Sequence, residues 1–293
     1  MANLKDIRTR INSVKTTKQV TNAMKMVSAA KLKKAQDEMT NIRYFTSKLA
    51  GIIHDLNFSS DNQISCVYTE ANKGKKVAII VIASNRGLCG AFNSNIVKAV
   101  QSLINTKFQN ENNQENIDIY VIGKQVEKML KMRGVKTQYE YNDLIHTPKY
   151  DKTKILAKKI LDSYASGQYN KVIVIYNEFV NAAVQNVQSY QFLPFLIPKE
   201  GEASRESMQY VLEPDINRII YSLIPEMLQS MLFQVLLESQ ASEHGARMTS
   251  MHKATDNANE LINDLQLAYN KARQSAITNE IIEVTGGANA LRG

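Results

Sequence analysis

From Pro214 to Val284 the chain is free of helix breakers apart from Pro225 and a single glycine, Gly245, until Gly286-Gly287 ends the run. Apolar or small residues recur along it at steps of three and four: Leu237, Ala241, Met248, Met251, Ala258, Ile262, Leu265, Tyr269, Ala272 and Ala276. This spacing predicts a long helix with a partner along one seam. At 1.5 Å per residue it would be roughly 100 Å long, several times the diameter of a small domain. Such a helix is a rod rather than a core element of one globule. Pro214 and Asp215 suit its first turn, and Pro225 predicts a kink or a restart.

A second proline-free stretch lies at the other end, from Leu4 to Leu56, with Gly51 its one glycine. Leu4, Ile7, Ile11 and Val14 follow 3-4-3 spacing, and the register resumes at Leu32, Ala35, Met39, Ile42, Leu49, Ile53 and Leu56. Between them the register falls on Lys18, Thr21, Lys25 and Ser28, while Val20, Met24 and Val27 form a displaced stripe. A seam broken in this way implies local unwinding or a second partner. The predicted helix has some 50 residues and a length of roughly 80 Å.

Residues 57–76 are polar and read as a linker. The period then changes. Val77–Ala83 is a continuous apolar, mostly β-branched run, the mark of a strand buried on both faces. Helices are expected near Ala91–Lys107, Lys124–Met132 and Thr153–Ala165. Strands are expected at Ile117–Ile122, Thr137–Tyr141, Lys171–Phe179 and Val184–Pro194. This alternation predicts a small α/β domain with a mainly parallel sheet. Gly201-Glu202-Ala203-Ser204 reads as an exposed loop. The expected organisation is an amino-terminal coiled-coil helix over residues 1–56, a Rossmann-like α/β domain over 77–195 and a carboxy-terminal coiled-coil helix over 210–290. The two terminal helices pair antiparallel, and the longer one overhangs from Asn279 to Leu291 and for a few turns before. Ile277, Ile281, Ile282, Val284 and Leu291 then lack a partner, and an apolar tip of that kind implies a socket in another protein.

Composition narrows the function. The chain has 293 residues, 44% hydrophobic and 22% charged, ordinary values for a soluble protein. Its longest apolar run, Val77–Ala83, is too short to span a bilayer, so no direct membrane span is expected. The amino terminus lacks an apolar leader and reads as structural helix. The net charge is +8. Residues 1–50 alone carry eleven Lys and Arg against three acids, which accounts for the whole excess. Such a helix suits an acidic partner, or is a solvated coiled-coil face.

Catalytic motifs are missing. Ser84-Asn85-Arg86-Gly87-Leu88-Cys89-Gly90 follows the first strand and opens a helix, but fits neither G-x-G-x-x-G nor G-x-x-x-x-G-K-[ST]. It reads as a tight structural turn, with Cys89 a small buried thiol. Cys66 and Cys89 have no metal-ligand spacing, and His54, His146, His244 and His252 are scattered. Glu238, Glu243, His244 and His252 read as solvated or seam residues, and the methionines as seam filling. Arg273, Gln274, Thr278 and Glu280 lie close to the apolar tip, as simple solvation or as latches to the socket. No catalytic, cofactor-binding or metal-binding residues are expected.

The chain resembles the gamma-subunit family of F-type ATP synthases. The resemblance rests on Ile7–Lys18, Ala23–Lys31, Asn85–Gly90, Ala241–Met248, Ala254–Ala258 and Tyr269–Gln274. It is weak at 57–76 and 195–210, and the cysteine-bearing redox insert of chloroplast relatives is lacking. What it implies is a central rotor shaft: an antiparallel coiled coil inside an alpha3beta3 ring, with the α/β domain, beside the epsilon subunit, on the membrane c-ring. Proton-driven rotation of that ring would be coupled to ATP synthesis or hydrolysis at the beta subunits. The resemblance assigns Arg273, Gln274 and Thr278 to a beta-subunit latch, with Glu280 beside them. It puts Met24, Lys25 and Arg247 against the acidic domains of beta, and Tyr210 and Glu213 at the foot near epsilon and the c-ring. It further implies no nucleic-acid partner, no enzymatic activity of the chain by itself, and a peripheral location on the cytoplasmic face of a bacterial inner membrane. Torque would be mostly steric, since surface ion pairs of about 0–1 kcal/mol exchange easily. The rival reading is a basic coiled-coil adaptor for nucleic acid or filaments. Tyr44 and Phe45 are the only aromatics among the first 50 residues, which leaves little for base stacking.

Overall fold

The computed structural model describes residues 4–59, 66–74, 76–107, 116–196, 213 and 216–290. Its elements in chain order are α1 (Leu4–Ser59), β1 (Lys76–Ile82), α2 (Phe92–Lys107), β2 (Ile117–Ile122), α3 (Lys124–Met132), β3 (Tyr139–Glu140), α4 (Tyr150–Ala165), β4 (Tyr169–Phe179), β5 (Gln185–Leu193) and α5 (Ile216–Ala290). The exposed loop expected at Gly201–Ser204 and the helix start at Pro214-Asp215 lie outside the described residues.

The chain divides into two compact units that do not follow the three expected segments. An α/β unit comprises residues 29–247, and a paired-helix unit comprises 1–28 with 248–293. Each long helix therefore contributes to both.

In the α/β unit the sheet order is β3-β2-β1-β4-β5. All neighbours are parallel except the β4–β5 pair. β1 is central and buried on both faces. Its Val77, Ile79 and Val81 pack on α2 and α3, whereas Ala78, Ile80 and Ile82 pack on a layer from α4, α1 and α5. Leu49, Ile53 and Leu56 of α1 and Ile220–Leu236 of α5 belong to that second layer. These helix segments are core of the α/β unit, which is why the division falls inside α1 and α5.

Gly123, with φ 130, closes the turn between β2 and α3. A Cβ there would meet the carbonyl oxygen of Ala83 at 2.5 Å, so only glycine fits. Residues 66–74 are docked rather than a free linker. Phe195 N donates to the Tyr68 carbonyl, Tyr164 Oη to that of Glu70, and Cys66 is buried.

α5 does not restart at Pro225, one of the two outcomes expected there, and does not end at Gly286-Gly287. It runs as one helix through Pro225, held there by buried Ile224, Met227 and Leu228. It also continues across Gly286-Gly287 to Ala290. Neither glycine has a positive φ, and two exposed glycines cost a helix only about 1 kcal/mol each relative to alanine. One window of α5 is long and apolar enough by composition to cross a membrane, but 50% of it is buried inside the protein. Many of its apolar residues, like those of β1, belong to the core of the α/β unit.

In the paired-helix unit the seam of α1 is Leu4, Ile7, Ile11, Val14, Lys18, Thr21, Lys25 and Ser28, all buried or half-buried. The facing seam of α5 is Met251, Thr255, Ala258, Ile262, Leu265, Tyr269 and Ala272. The polar break is therefore spanned by the same register and not by the displaced stripe, of which Val20 and Val27 are exposed.

Candidate functional site

In the paired-helix unit, Thr21 and Thr255 bring their hydroxyl oxygens within 2.9 Å. Thr21 also donates to the Lys18 carbonyl and Thr255 to that of Met251. In an antiparallel pair this contact sets Lys18 opposite Ala258, Val14 opposite Ile262, Ile7 opposite Tyr269 and Leu4 opposite Ala272. The burial pattern agrees residue by residue, ending on α5 at Ala272. From Arg273 to Asn289 every residue is exposed. The overhang thus begins six residues before Asn279, and Ala276, assigned to the stripe from sequence, lies outside the seam.

That overhang carries the predicted latch. Arg273, Gln274, Thr278 and Glu280 are all exposed. Thr278 donates its hydroxyl to the Gln274 carbonyl at 2.9 Å, leaving its oxygen free to accept. Ile277, Ile281, Ile282 and Val284 are 48–66% exposed, a continuous apolar surface. Leu291 lies outside the described residues. Met24 and Lys25 are half-buried on α1, next to exposed Met26 and Val27.

Arg247 sits differently, inside the α/β unit. It is 8% exposed, its Nη1 lies 2.7 Å from Glu243 Oε1, and its Nη2 donates to the carbonyls of Arg86 and Gly87. Its guanidinium is thus engaged within the α/β unit, whereas Met24 and Lys25 belong to the paired-helix unit. Burial pushes the Glu243 carboxyl up, against the lowering effect of Arg247. Of the two foot residues, Glu213 is exposed, and Tyr210 lies outside the described residues.

The turn that Arg247 holds, Ser84–Gly90, has its own polar lattice. Ser84 Oγ donates to the Arg86 carbonyl at 2.7 Å, and Asn93 Nδ2 donates to Ser84 Oγ and to Cys89 Sγ. Cys89 is buried, and burial pushes its thiol up, as suits an inert thiol. Leu88 has φ 62 and is 64% exposed. The arrangement is that of a structural turn.

Sequence reasoning missed a second polar set. Arg43 of α1 donates through Nε and Nη2 to Glu238 Oε1 of α5, at 3.0 and 2.8 Å. Gln234 donates to the same oxygen, and Thr46 donates to Gln234. Glu238 is only 3% exposed, so it is neither solvated nor an ordinary seam residue. His244 is also buried, and burial first, then Arg247 and Lys31, push it down to about 4. His252 is exposed and pairs with Asp256. Among the described residues no group of His, Cys, Asp and Glu could hold a metal ion.

Comparison with known proteins decides the family. The ATP synthase family pattern matches residues 3–291. The ATP synthase gamma chain of Flavobacterium johnsoniae is 46% identical over 293 residues, covering 100% of both chains. That of Christiangramia forsetii is 45% identical with the same coverage. The chain belongs to the ATP synthase gamma chain family. Among solved structures, the Euglena gracilis mitochondrial ATP synthase OSCP/F1/c-ring assembly contains a chain that matches with a TM-score of 0.66 at 20% identity, over 98% of this chain and 94% of that one. A chain of the Euglena rotor matches with a TM-score of 0.62 at 20% identity, over 94% and 98%. These likenesses bear on the fold: mixed α/β with long terminal helices, as a gamma chain has. A gamma chain is the central stalk of the rotor, and the nucleic-acid or filament adaptor is left without support.

Proposed function

We propose that this gamma chain acts as a non-catalytic shaft whose α5 overhang seats in an alpha3beta3 ring. Rotation of a proton-driven membrane c-ring is thereby coupled to ATP synthesis or hydrolysis at the beta subunits. The observation that carries this reading is the end of the seam at Ala272, beyond which residues 273–289 are exposed and include four large apolar side chains. An apolar surface of that kind on a helix end is a docking element. Arg273, Gln274, Thr278 and Glu280 present hydrogen-bonding groups beside it, suited to gripping a beta-subunit loop.

Met24 and Lys25, on the strongly basic α1, face acidic domains of beta through exchangeable contacts. Ion pairs at such a surface are weak enough for rotation to break, so torque is mostly steric. Tyr210 and Glu213 form the foot toward epsilon and the c-ring. A shaft of this kind needs no membrane span of its own and no nucleic-acid partner. It is held peripherally on the cytoplasmic face of a bacterial inner membrane.

The test is co-purification of tagged full-length chain from its own cells, beside a version ending at Ala272. A hexameric ATPase should accompany the full chain and be depleted with the short one. Failure of the full chain to bring down any such ATPase would remove the reading. The steric view is tested by Lys25→Ala in the assembled complex, where torque should persist. Loss of torque with assembly intact would make charge the main agent.

A further inference from the structure

We propose that Arg247 is a positioning residue that acts through the Ser84–Gly90 turn, fixing it to α5, and does not itself touch a partner. This rests on the shaft reading above only for its functional consequence; the clamp is a property of the chain.

The geometry is that of a three-point clamp. The Arg247 guanidinium spends Nη1 on the Glu243 carboxylate, 2.7 Å away, and Nη2 on the Arg86 and Gly87 carbonyls at 3.2 and 3.4 Å. Both side chains of the ion pair are 10% exposed, so little of either head group is left for another molecule. A planar guanidinium holds a carboxylate and two carbonyls in one rigid fork, a geometry that an ammonium on a flexible stem does not reproduce. The Arg86 carbonyl also accepts from Ser84 Oγ at 2.7 Å, so the turn is gripped from the sheet side and the helix side. One residue beyond Gly87, Leu88 is held in left-handed backbone, which costs a non-glycine residue on the order of 1 kcal/mol. Strain of that size persists only where the surroundings fix the backbone. The outcome is an exposed Leu88 and an exposed Arg86 presented at a set angle to α5. Rotation of α5 then carries the turn with it.

Cys89 reports on the clamp. It is 1% exposed within the turn, whereas Cys66, 2% exposed, lies elsewhere in the α/β unit. N-ethylmaleimide labelling of the free full-length chain reads local opening at each thiol. In Arg247→Gln, Cys89 should label roughly tenfold faster than in wild type, with Cys66 unchanged. Arg247→Lys should fall between. Glu243→Gln, which keeps the guanidinium but removes its carboxylate, should show the same selective rise and serves if Arg247→Gln does not fold. In the assembled complex, ATP turnover should fall in the order in which Cys89 labelling rises, with the KM for ATP unchanged. Unchanged Cys89 labelling overturns the clamp, as does turnover that falls without it, which would make Arg247 a direct contact. Faster labelling with full turnover overturns the positioning role. Because labelling is read on the free chain, its result is independent of whether the ring co-purifies.

Discussion

Arg43 reaches from α1 to place two guanidinium nitrogens on one oxygen of Glu238 in α5, at 3.0 and 2.8 Å. The carboxylate is 4% exposed and the guanidinium side chain 47%, so one charge is buried and its partner opens to water. Removing Arg43 would leave the carboxylate buried without its guanidinium, with Gln234 still donating to it and Tyr176 beside it. Arg43→Ala should therefore destabilise the chain by about 3 kcal/mol, the low end for a broken buried pair because Arg43 is half solvated. A double change, Arg43→Met with Glu238→Leu, should recover most of that loss. Urea denaturation of the three proteins checks it, and a double variant weaker than Arg43→Ala would contradict the account.

Much of this was legible in the sequence, for reasons that show where it stopped being so. The central strands were plain because Val77–Ala83 and Val172–Tyr176 are apolar runs that burial on both faces explains. The distal seam was plain because Met251, Ala258, Ile262, Leu265, Tyr269 and Ala272 keep heptad spacing. The segment Ala241–Arg247 was not, since all seven residues are buried. A helix buried all round loses its stripe, and charges within it read as solvent-facing. Arg247 could not be placed from sequence because its carbonyl partners are some 160 residues away. Thr21 fell on the register, but its polar partner could not be read, because the facing hydroxyl belongs to Thr255 at a separation of 234.

That threonine pair makes a second prediction. Each hydroxyl has one proton, and the Lys18 carbonyl, the Met251 carbonyl and the facing hydroxyl oxygen compete for the two, so the threonines bond each other only when one of them turns its proton from its own helix to its neighbour. Thr21→Val strips the partner from Thr255 and should lower stability by about 1 kcal/mol. Thr21→Val with Thr255→Val replaces both by apolar residues at seam positions and should return to wild-type stability or exceed it. Thermal melts of both single variants and the double variant give the coupling. Additive losses would show that the two hydroxyls do not depend on each other.

Gly245 is the one glycine of α5 before Gly286-Gly287, and a Cβ there would sit 3.3 Å from the Cα and carbonyl oxygen of Ala182. The helix and the turn after β4 touch backbone to backbone. Alanine gains about 1 kcal/mol of helix propensity but needs the turn to yield by a few tenths of an ångström, so Gly245→Ala should change stability little. Gly245→Leu cannot be accommodated by a backbone neighbour and should cost on the order of 3 kcal/mol by overpacking. Melting temperatures of the two variants separate these outcomes. Equal tolerance of alanine and leucine would mean the contact is not tight in solution.

His244 sets a pH dependence whose sign can be worked out. Its Nδ1 is buried without a hydrogen-bond partner, and burial, then Arg247 and Lys31, push its pKa down from 6.5 to about 4. The unfolded chain therefore takes up a proton as pH falls through about 6.5, while the folded chain resists until about 4. Stability from this group is present above 6.5 and is lost progressively as pH falls through that window. Glu243 acts in the opposite sense, because a raised carboxyl pKa favours the folded state at low pH. A direct scan of wild type would mix the two. Comparison with His244→Gln isolates the histidine, since Glu243 is common to both proteins. Between pH 7.5 and pH 5 the stability of wild type relative to His244→Gln should fall, by at most about 2 kcal/mol. Urea midpoints at the two pH values measure it. A difference that stays constant, or that grows toward low pH, would mean that His244 takes up its proton inside the folded chain without penalty.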